Sequence, residues 1–400
     1  MAFFNTSQTY GRLARWLHWL TALGVLVMVP LGAVARRLPH DTSEALTLKA
    51  NLFTLHKTLG LVLLALTLLR LLTALGQPRP APLATTPRWQ AFAASTTHWM
   101  LYASLVLVPL SGWVHHAAAP GFASLALPFA LPLPFVPVSV SVADTAAAVH
   151  LVASRGLVAL ALLHVVAALK HTWVDRDITL RRMLSGAAGE TAQHRKGTGA
   201  LALMLACALW AGALWLANAR GLLSTPSIAT QVNILPEPES EWIVQDGTLA
   251  LAITQFGERV EGRFEDWTAA ISFEDRPEPG PLGDIDVTIN TGSLRLGSVS
   301  AQATGPDFLD TSAFPNARYT ATLMRAADGY VARGILRLRG VEQDLALPFQ
   351  LSITDGLAEV QGRVVLDRRR FDIGRNMTNA EQLGFQVEVW VTLTAKQPEP

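Results

Sequence analysis

The sequence predicts a two-part membrane protein: an all-α bundle of four helices with a fifth membrane helix, then an all-β antiparallel domain. Three observations carry that prediction. Half of the 400 residues are hydrophobic and only 16% are charged, whereas soluble proteins carry about 25% charge. The net charge of +1 hides a split. Residues 1–230 hold 17 Lys and Arg against 6 Asp and Glu (+11), and residues 231–400 hold 15 against 25 (−10). Past residue 240 the hydrophobic period also changes from helical to two. A uniform soluble enzyme and a disordered chain are excluded by these numbers. Cys207 is the single cysteine, so a disulfide scaffold and sites built on several thiolates are excluded too.

Five stretches, near 13–35, 52–75, 91–114, 146–171 and 199–219, are apolar over the roughly 20 residues a bilayer crossing needs. The first is too long for a cleaved signal peptide and no small-residue cleavage site follows it, so it is expected to stay as a helix. Charge sets the orientation. With the N-terminus in the cytoplasm, Arg12, Arg15, Arg70, Arg79, Arg88, Lys170, Arg176, Arg181, Arg182, Arg195 and Lys196 fall inside. Arg36, Arg37, Lys49, Lys57 and Arg220 fall outside. In a Gram-negative bacterium this describes a multi-pass inner-membrane protein whose C-terminal part is periplasmic. From Trp89 to Ala143 there is no charged residue. Pro120, Pro128, Pro132, Pro134 and Pro137 break its second half, which reads as an apolar loop at the outer face.

The expected domains are 1–185 for the four-helix part, 186–220 for a connection and the fifth helix, 221–239 for a proline-bearing linker, and 240–396 for the strands. Thr248–Ile253, Asp286–Asn290 and Phe385–Val389 alternate as half-buried strands do, and Asp328-Gly329 is a hairpin signal. About eight short strands are expected, with an irregular insert near 296–313, as an antiparallel barrel or sandwich. Asp284, Asp286, Asp307 and Asp310 read as solvated groups at strand ends and turns. This part has no histidine or cysteine, so a hydrolase is not expected there, and small apolar residues along the strands would line an interior for one small ligand.

All ten histidines lie between His18 and His194. Ionisable residues within spans mark function by default. His18 near the inner start of the first helix shares its depth with His164 on the fourth. His56 near the outer start of the second shares its depth with His150. His150 and His164 are 14 residues apart, about 21 Å along one helix face. Two stacked sites result, each with two imidazoles, as six-coordinate haem b requires. No Cys-x-x-Cys-His motif occurs, which excludes covalent haem. Gly60, one turn after His56, reads either as room for a porphyrin or as a helix contact.

Residues 8–184 resemble the bacterial cytochrome b561 family. The matching stretches are Tyr10 through Arg15-Trp16-Leu17-His18-Trp19, His56-Lys57-Thr58-Leu59-Gly60, and His98 with Tyr102, Pro109 and Gly112. His150, His164, His171 and Asp177-Ile178-Thr179-Leu180 with Met183 complete them. The resemblance implies a four-helix membrane cytochrome with two haem b groups exchanging electrons with quinone, ubiquinone among the candidates, and the same four ligands. His98 and His171 read as quinone or proton-route residues, or as interfacial hydrogen-bonding ones. Arg155 departs from the family pattern and reads as a haem propionate partner or a snorkelling side chain. His115 and His116 read as metal or proton groups, or as solvent-exposed ones.

Residues 240–396 resemble the YceI-like family through Val260-Glu261-Gly262-Arg263-Phe264, Asp307-Phe308-Leu309-Asp310, Phe314-Pro315, Tyr319, Gly334–Val341 and Arg370-Phe371-Asp372-Ile373-Gly374. That resemblance implies a lipocalin-like antiparallel barrel holding an isoprenoid chain. Ser293-Leu294 is kept, but the following segment departs from the family by lacking its acidic, histidine-bearing run.

The expected function is therefore membrane electron transfer between two b haems and quinone, with a periplasmic barrel for a quinone or other polyprenyl lipid. Three alternatives compete: a superoxide-oxidising quinone reductase, a cytochrome subunit serving a separate dehydrogenase as redox partner, and an isoprenoid carrier anchored by its helices. No nucleic acid partner is expected. A reporter fused after Pro400 should behave as periplasmic and one inserted near Gly189 as cytoplasmic; opposite labels would overturn the charge-based orientation.

Overall fold

The computed structural model describes residues 2–39, 41–119, 123, 125–126, 133–190, 198–223, 235, 238–278, 280–326 and 329–397. The chain divides into a helical unit and a strand unit. The long helices are α1 (Arg12–Arg37), α2 (Ser43–Gly76), α3 (Arg88–Ala118) and α4 (Val140–Trp173), with a short α5 (Thr179–Leu184) and then α6 (Thr198–Ala219). Five are long and apolar enough to cross a membrane. In the shortest, the 21 residues Gly199–Ala219 rise about 31 Å, which matches a hydrocarbon core of about 30 Å. The protein is a multi-pass membrane protein. Each expected span lies inside its helix, and α2 begins nine residues earlier than position 52. Hydropathy marks the part inside lipid, while the helix continues through the interface.

Packing in the bundle relies on small residues, since lipid offers apolar side chains no reason to prefer one another. Leu26, Leu72, Leu162 and Trp215 are exposed. A Cβ on Gly24 would lie 2.8 Å from Leu63 Cδ1, and one on Gly156 2.5 Å from Trp210 Cη2, so α1 meets α2 and α4 meets α6 closely there. Trp210 Nε1 also donates to the Met100 carbonyl (3.2 Å). Thr21, Thr67 and Ser104 are buried, and each donates to the carbonyl four residues earlier. Their hydroxyls are thereby satisfied without water. Residues 133–139, with Pro134 and Pro137, are non-helical as expected; Pro120, Pro128 and Pro132 lie outside the described residues.

The strand unit is one antiparallel sheet. Its strands are β1 (Ile243–Gln255), β2 (Glu258–Phe264), β3 (Trp267–Phe273), β4 (Pro281–Asn290), β5 (Leu294–Arg295), β6 (Asn316–Ala326), β7 (Gly329–Leu338), β8 (Val341–Thr354), β9 (Leu357–Asp367) and β10 (Leu383–Lys396). They lie in the order β3-β4-β6-β7-β8-β9-β10-β1-β2-β5, curled strongly into a half-barrel. The count of eight is corrected to ten among the described residues, and several strands are long, β8 and β10 having 14 residues each. The irregular insert is present, with the single turn α7 (Ser300–Ala303) inside it. Asp284 and Asp286 sit within β4 rather than at strand ends. Asp286 pairs with Arg318 and Asp284 accepts from Thr322 Oγ1 across the outer face. Asp328 of the expected hairpin lies outside the described residues, although β6 and β7 do pair antiparallel on either side of it.

Period two governs what is buried. Along β6, Ala317, Tyr319, Ala321 and Leu323 are buried between exposed or half-buried neighbours. The inner face of the curled sheet surrounds a cavity of about 300 Å³, lined by Trp242, Leu251, Ile271, Phe273, Tyr319 and Leu347 among others. Burial pushes the Tyr319 hydroxyl up to about 12, and it donates to the Ala332 carbonyl (2.7 Å). Arg368 also reaches the cavity wall. It is 2% exposed and donates to the carbonyls of Ile373, Gly374, Met377, Leu383 and Gly384 at 2.6–3.1 Å. One guanidinium thus closes the turn after β9. Arg368→Met would leave several buried carbonyls unpaired and is expected to cost roughly 3 kcal/mol. Faster hydrogen exchange in β9 and β10 of the full-length protein would show it; unchanged exchange would refute it.

Candidate functional site

The site is built on α4. His150 and His164 face the same side of that helix, and each meets a histidine from another helix. The ring centres of His18 and His164 are 6.2 Å apart, and those of His56 and His150 are 6.3 Å apart. Two imidazoles sharing one iron from opposite sides need ring centres about 6.2 Å apart, given metal–nitrogen bonds near 2 Å. Both pairs fit that requirement. His98 lies closer to His164, at 5.2 Å between ring centres, which is too short for the same arrangement.

Orientation of the imidazoles comes from backbone. His150 Nδ1 donates to the Val108 carbonyl (2.8 Å), which leaves Nε2 with a free lone pair, the form a metal needs. Gly112 makes that approach possible, because a Cβ there would lie 3.1 Å from His150 Nδ1. The His56 ring is received in the same way on α1. A Cβ on Gly32 would lie 2.7 Å from His56 Cε1. His56 Nδ1 is buried without a well-formed hydrogen bond, with the Met28 backbone as the acceptor beside it. Each ring therefore lies against a glycine one turn after a carbonyl, Met28 to Gly32 and Val108 to Gly112. Gly60 does not take part. It faces Met28 Cε at 3.6 Å, an ordinary helix contact.

The surroundings of the two pairs differ. At the first, Arg70 Nη2 donates to His18 Nδ1 (3.0 Å), and its guanidinium lies 5.3 Å from the Tyr102 ring centre. Near the second, Lys57 Nζ donates to His116 Nδ1 (3.3 Å) and His115 Nδ1 to the Ala143 carbonyl (2.9 Å). His115 and His116 are thus half-buried partners rather than solvent-exposed groups. His171 donates from Nδ1 to Asp177 Oδ2 (2.7 Å), and Asp175 lies 3.1 Å away. These three could hold a metal ion, but Lys170 already occupies Asp175. Arg155 is exposed and makes no ion pair among the described residues.

Residue types alone did not single out Gly32, Arg70 or Asp177. A signal existed for Arg70, which follows His56 by 14 residues on α2, as His164 follows His150 on α4. It therefore shares the depth of the His18–His164 pair.

Comparison with known proteins agrees with this architecture. A family model described as prokaryotic cytochrome b561 matches residues 9–186, and one described as a YceI-like domain matches residues 243–395. The Escherichia coli protein "Cytochrome b561 homolog 2" is 31% identical over 190 residues, covering 46% of this chain and 95% of that protein. Among solved structures, Burkholderia cenocepacia BcnA shares 21% identity with a TM-score of 0.35, over 38% of this chain and 96% of its own. A Campylobacter jejuni YceI protein shares 20% identity with a TM-score of 0.32, over 34% of this chain and 85% of its own. By its helical part the chain belongs to the prokaryotic cytochrome b561 family, and it carries a YceI-like domain after it.

Proposed function

We propose that the protein is a di-haem b-type membrane cytochrome that exchanges electrons with quinone, joined to a half-barrel that binds an isoprenoid or quinone lipid. The observation that carries this reading is the two histidine pairs at one-iron spacing, stacked on α4. His18 and His164 would hold one haem b, and His56 and His150 the other. Each haem, when bound, would supply a site for one electron at a time. The chain's own part is to bind and orient. The Val108 carbonyl fixes the tautomer of His150, Gly32 and Gly112 admit the rings, and the apolar helices exclude water. Quinone reduction takes two electrons and two protons, and the His171–Asp177 pair at the end of α4 is a place where protons can be held. The N-terminus is assigned to the cytoplasm and the half-barrel to the periplasm on the charge count. Domain limits follow the composition: 1–185, 186–220, 221–239 and 240–396.

The lipid reading of the half-barrel rests on its cavity. Its wall is almost wholly apolar: Tyr319 and Arg368 are bonded to backbone, and Gln255 and Gln302 are the other polar side chains that line it. Each methylene moved from water into such a wall gains about 0.8 kcal/mol. A prenyl tail of many carbons is therefore well held, and a small polar substrate is not.

His56→Ala or His150→Ala should remove one haem and spare the other, and His18→Ala or His164→Ala should do the reverse. Haem counts and reduced-minus-oxidised spectra of the purified variants would check this. Any of the four retaining two low-spin haems would refute the ligand set. Gly32→Val and Gly112→Val should reduce only the His56–His150 haem. For the half-barrel, a photoreactive prenyl probe should label strand peptides of the full-length protein, and Ala332→Trp, which fills the cavity, should abolish that labelling. Equal labelling of both proteins would defeat the lipid reading while leaving the haem assignment standing.

A further inference from the structure

Arg70 poses a problem that the protein's own residues do not solve. A charge within a membrane bundle is expensive and is normally met by an opposite charge. Yet the five long helices carry acidic residues only at Glu44, in the first turn of α2, and Asp144, near the start of α4, 26 and 20 residues along those helices from Arg70 and His164. Asp175 and Asp177, just past α4, are already engaged by Lys170 and His171. Arg70 makes no ion pair among the described residues; its half-buried guanidinium donates to His18 Nδ1 (3.0 Å) and to the neutral Tyr102 hydroxyl, whose ring centre lies 5.3 Å away. Other arginines of this unit end on backbone carbonyls: Arg15 on that of Leu184, and Arg182 on those of Ala81 and Gln8.

The His18 contact also conflicts with ligation. Arginine has five N–H donors and no acceptor. It can meet His18 Nδ1 only while that nitrogen carries no proton. A neutral imidazole that gives Nε2 to a metal keeps its proton on Nδ1. Two donors would then face each other at 3.0 Å. With His18 ligated, the guanidinium keeps only the neutral Tyr102 hydroxyl, which leaves its charge unbalanced, and the group with the right chemistry to balance it is a carboxylate brought in from outside the chain.

We propose that Arg70 is the counter-charge of the haem held by His18 and His164, binding a propionate carboxylate of that haem. The proposal rests on the di-haem reading above. Planar, bidentate pairing with a carboxylate is what a guanidinium does best. Its position suits the role, 14 residues after His56 on α2 and so one site-spacing away along the bundle. A fixed positive charge beside the iron opposes the more positive, oxidised state, so Arg70 raises the reduction potential of that site. Arg70 is a binding and positioning residue; it does not touch the iron.

Redox titration of the full-length protein, followed by visible absorption, tests this. Arg70→Gln should lower the potential of the His18–His164 site and leave the other site unchanged, with Arg70→Lys falling between Gln and wild type. Loss of that haem in Arg70→Gln with retention in Arg70→Lys carries the same meaning. Both variants keeping the wild-type potential would overturn the proposal. Where both variants lose the haem, haem-stripped wild-type protein refilled with haem or with its dimethyl ester decides. A preference of roughly tenfold or more for the free acid at this site supports the pairing, and equal uptake overturns it. Wild-type protein that binds no haem at all would instead refute the di-haem reading itself.

Discussion

The register of α4 is the constraint on which the helical unit depends. Fourteen residues make nearly four turns, so His150 and His164 share a face while standing about 21 Å apart along the helix. Each must then be met by a ring from a neighbouring helix at the same height. This fixes which helices surround α4 and at what depth: α1 supplies His18 and α2 supplies His56. It also dictates where backbones must come close. A ring wedged between helices needs room that any Cβ would take, which is why Gly32 and Gly112 lie where they do. The carbonyls one turn before those glycines supply an acceptor that a membrane interior otherwise lacks.

Depth was legible in the sequence, and rotation was not. Hydropathy and charge place His18 beside His164 and His56 beside His150, because both are statements about position along the membrane normal. The same reasoning could not tell that Gly60 faces Met28 or that Arg155 is exposed, since those depend on which side of a helix looks inward. Of the four long helices of the bundle, α2, α3 and α4 are apolar nearly all round, so no polar stripe marks their lipid side, and α1 alone is amphipathic. Lateral facts such as the Arg70–His18 contact need three dimensions.

The strands divided in the same way. In β8 exposure alternates residue by residue over most of its length, as period-two reading requires. In β1 it does not, because Ala250, Leu251 and Ala252 are buried in succession between the paired strands β2 and β10. The count of strands fell short where breaks carry no strong signal. Glu265 and Asp266 alone separate β2 from β3, and β5 has only two residues. Phe256 opens the β1–β2 turn at φ +49°, a left-handed conformation in a bulky residue that sequence rules assign to glycine or asparagine. The Arg368 cage was equally hidden, because its five carbonyl partners come from segments up to 16 residues away.

The two units meet one physical demand in opposite ways. Neither a bilayer nor an apolar cavity can hydrate a polar group, so each must account for its own. The strand unit turns its charges outward into pairs such as Arg318–Asp286 and Arg363–Glu388, and spends the deeply buried Arg368 guanidinium on backbone. Its interior is then lined almost wholly by hydrocarbon, with Gln255, whose buried Oε1 has no partner among the described residues, as an exception. The long helices carry acidic residues only at Glu44 and Asp144, near the starts of α2 and α4, and keep their deeper polarity in imidazoles and hydroxyls, many of them bonded to carbonyls. A neutral imidazole is the one side chain there that is both tolerable in an apolar setting and a strong nitrogen ligand. The same exclusion of acids that lets the helices cross the membrane thus leaves paired ring nitrogens as the groups best able to hold a metal, and leaves any fixed cation among them in want of an anion.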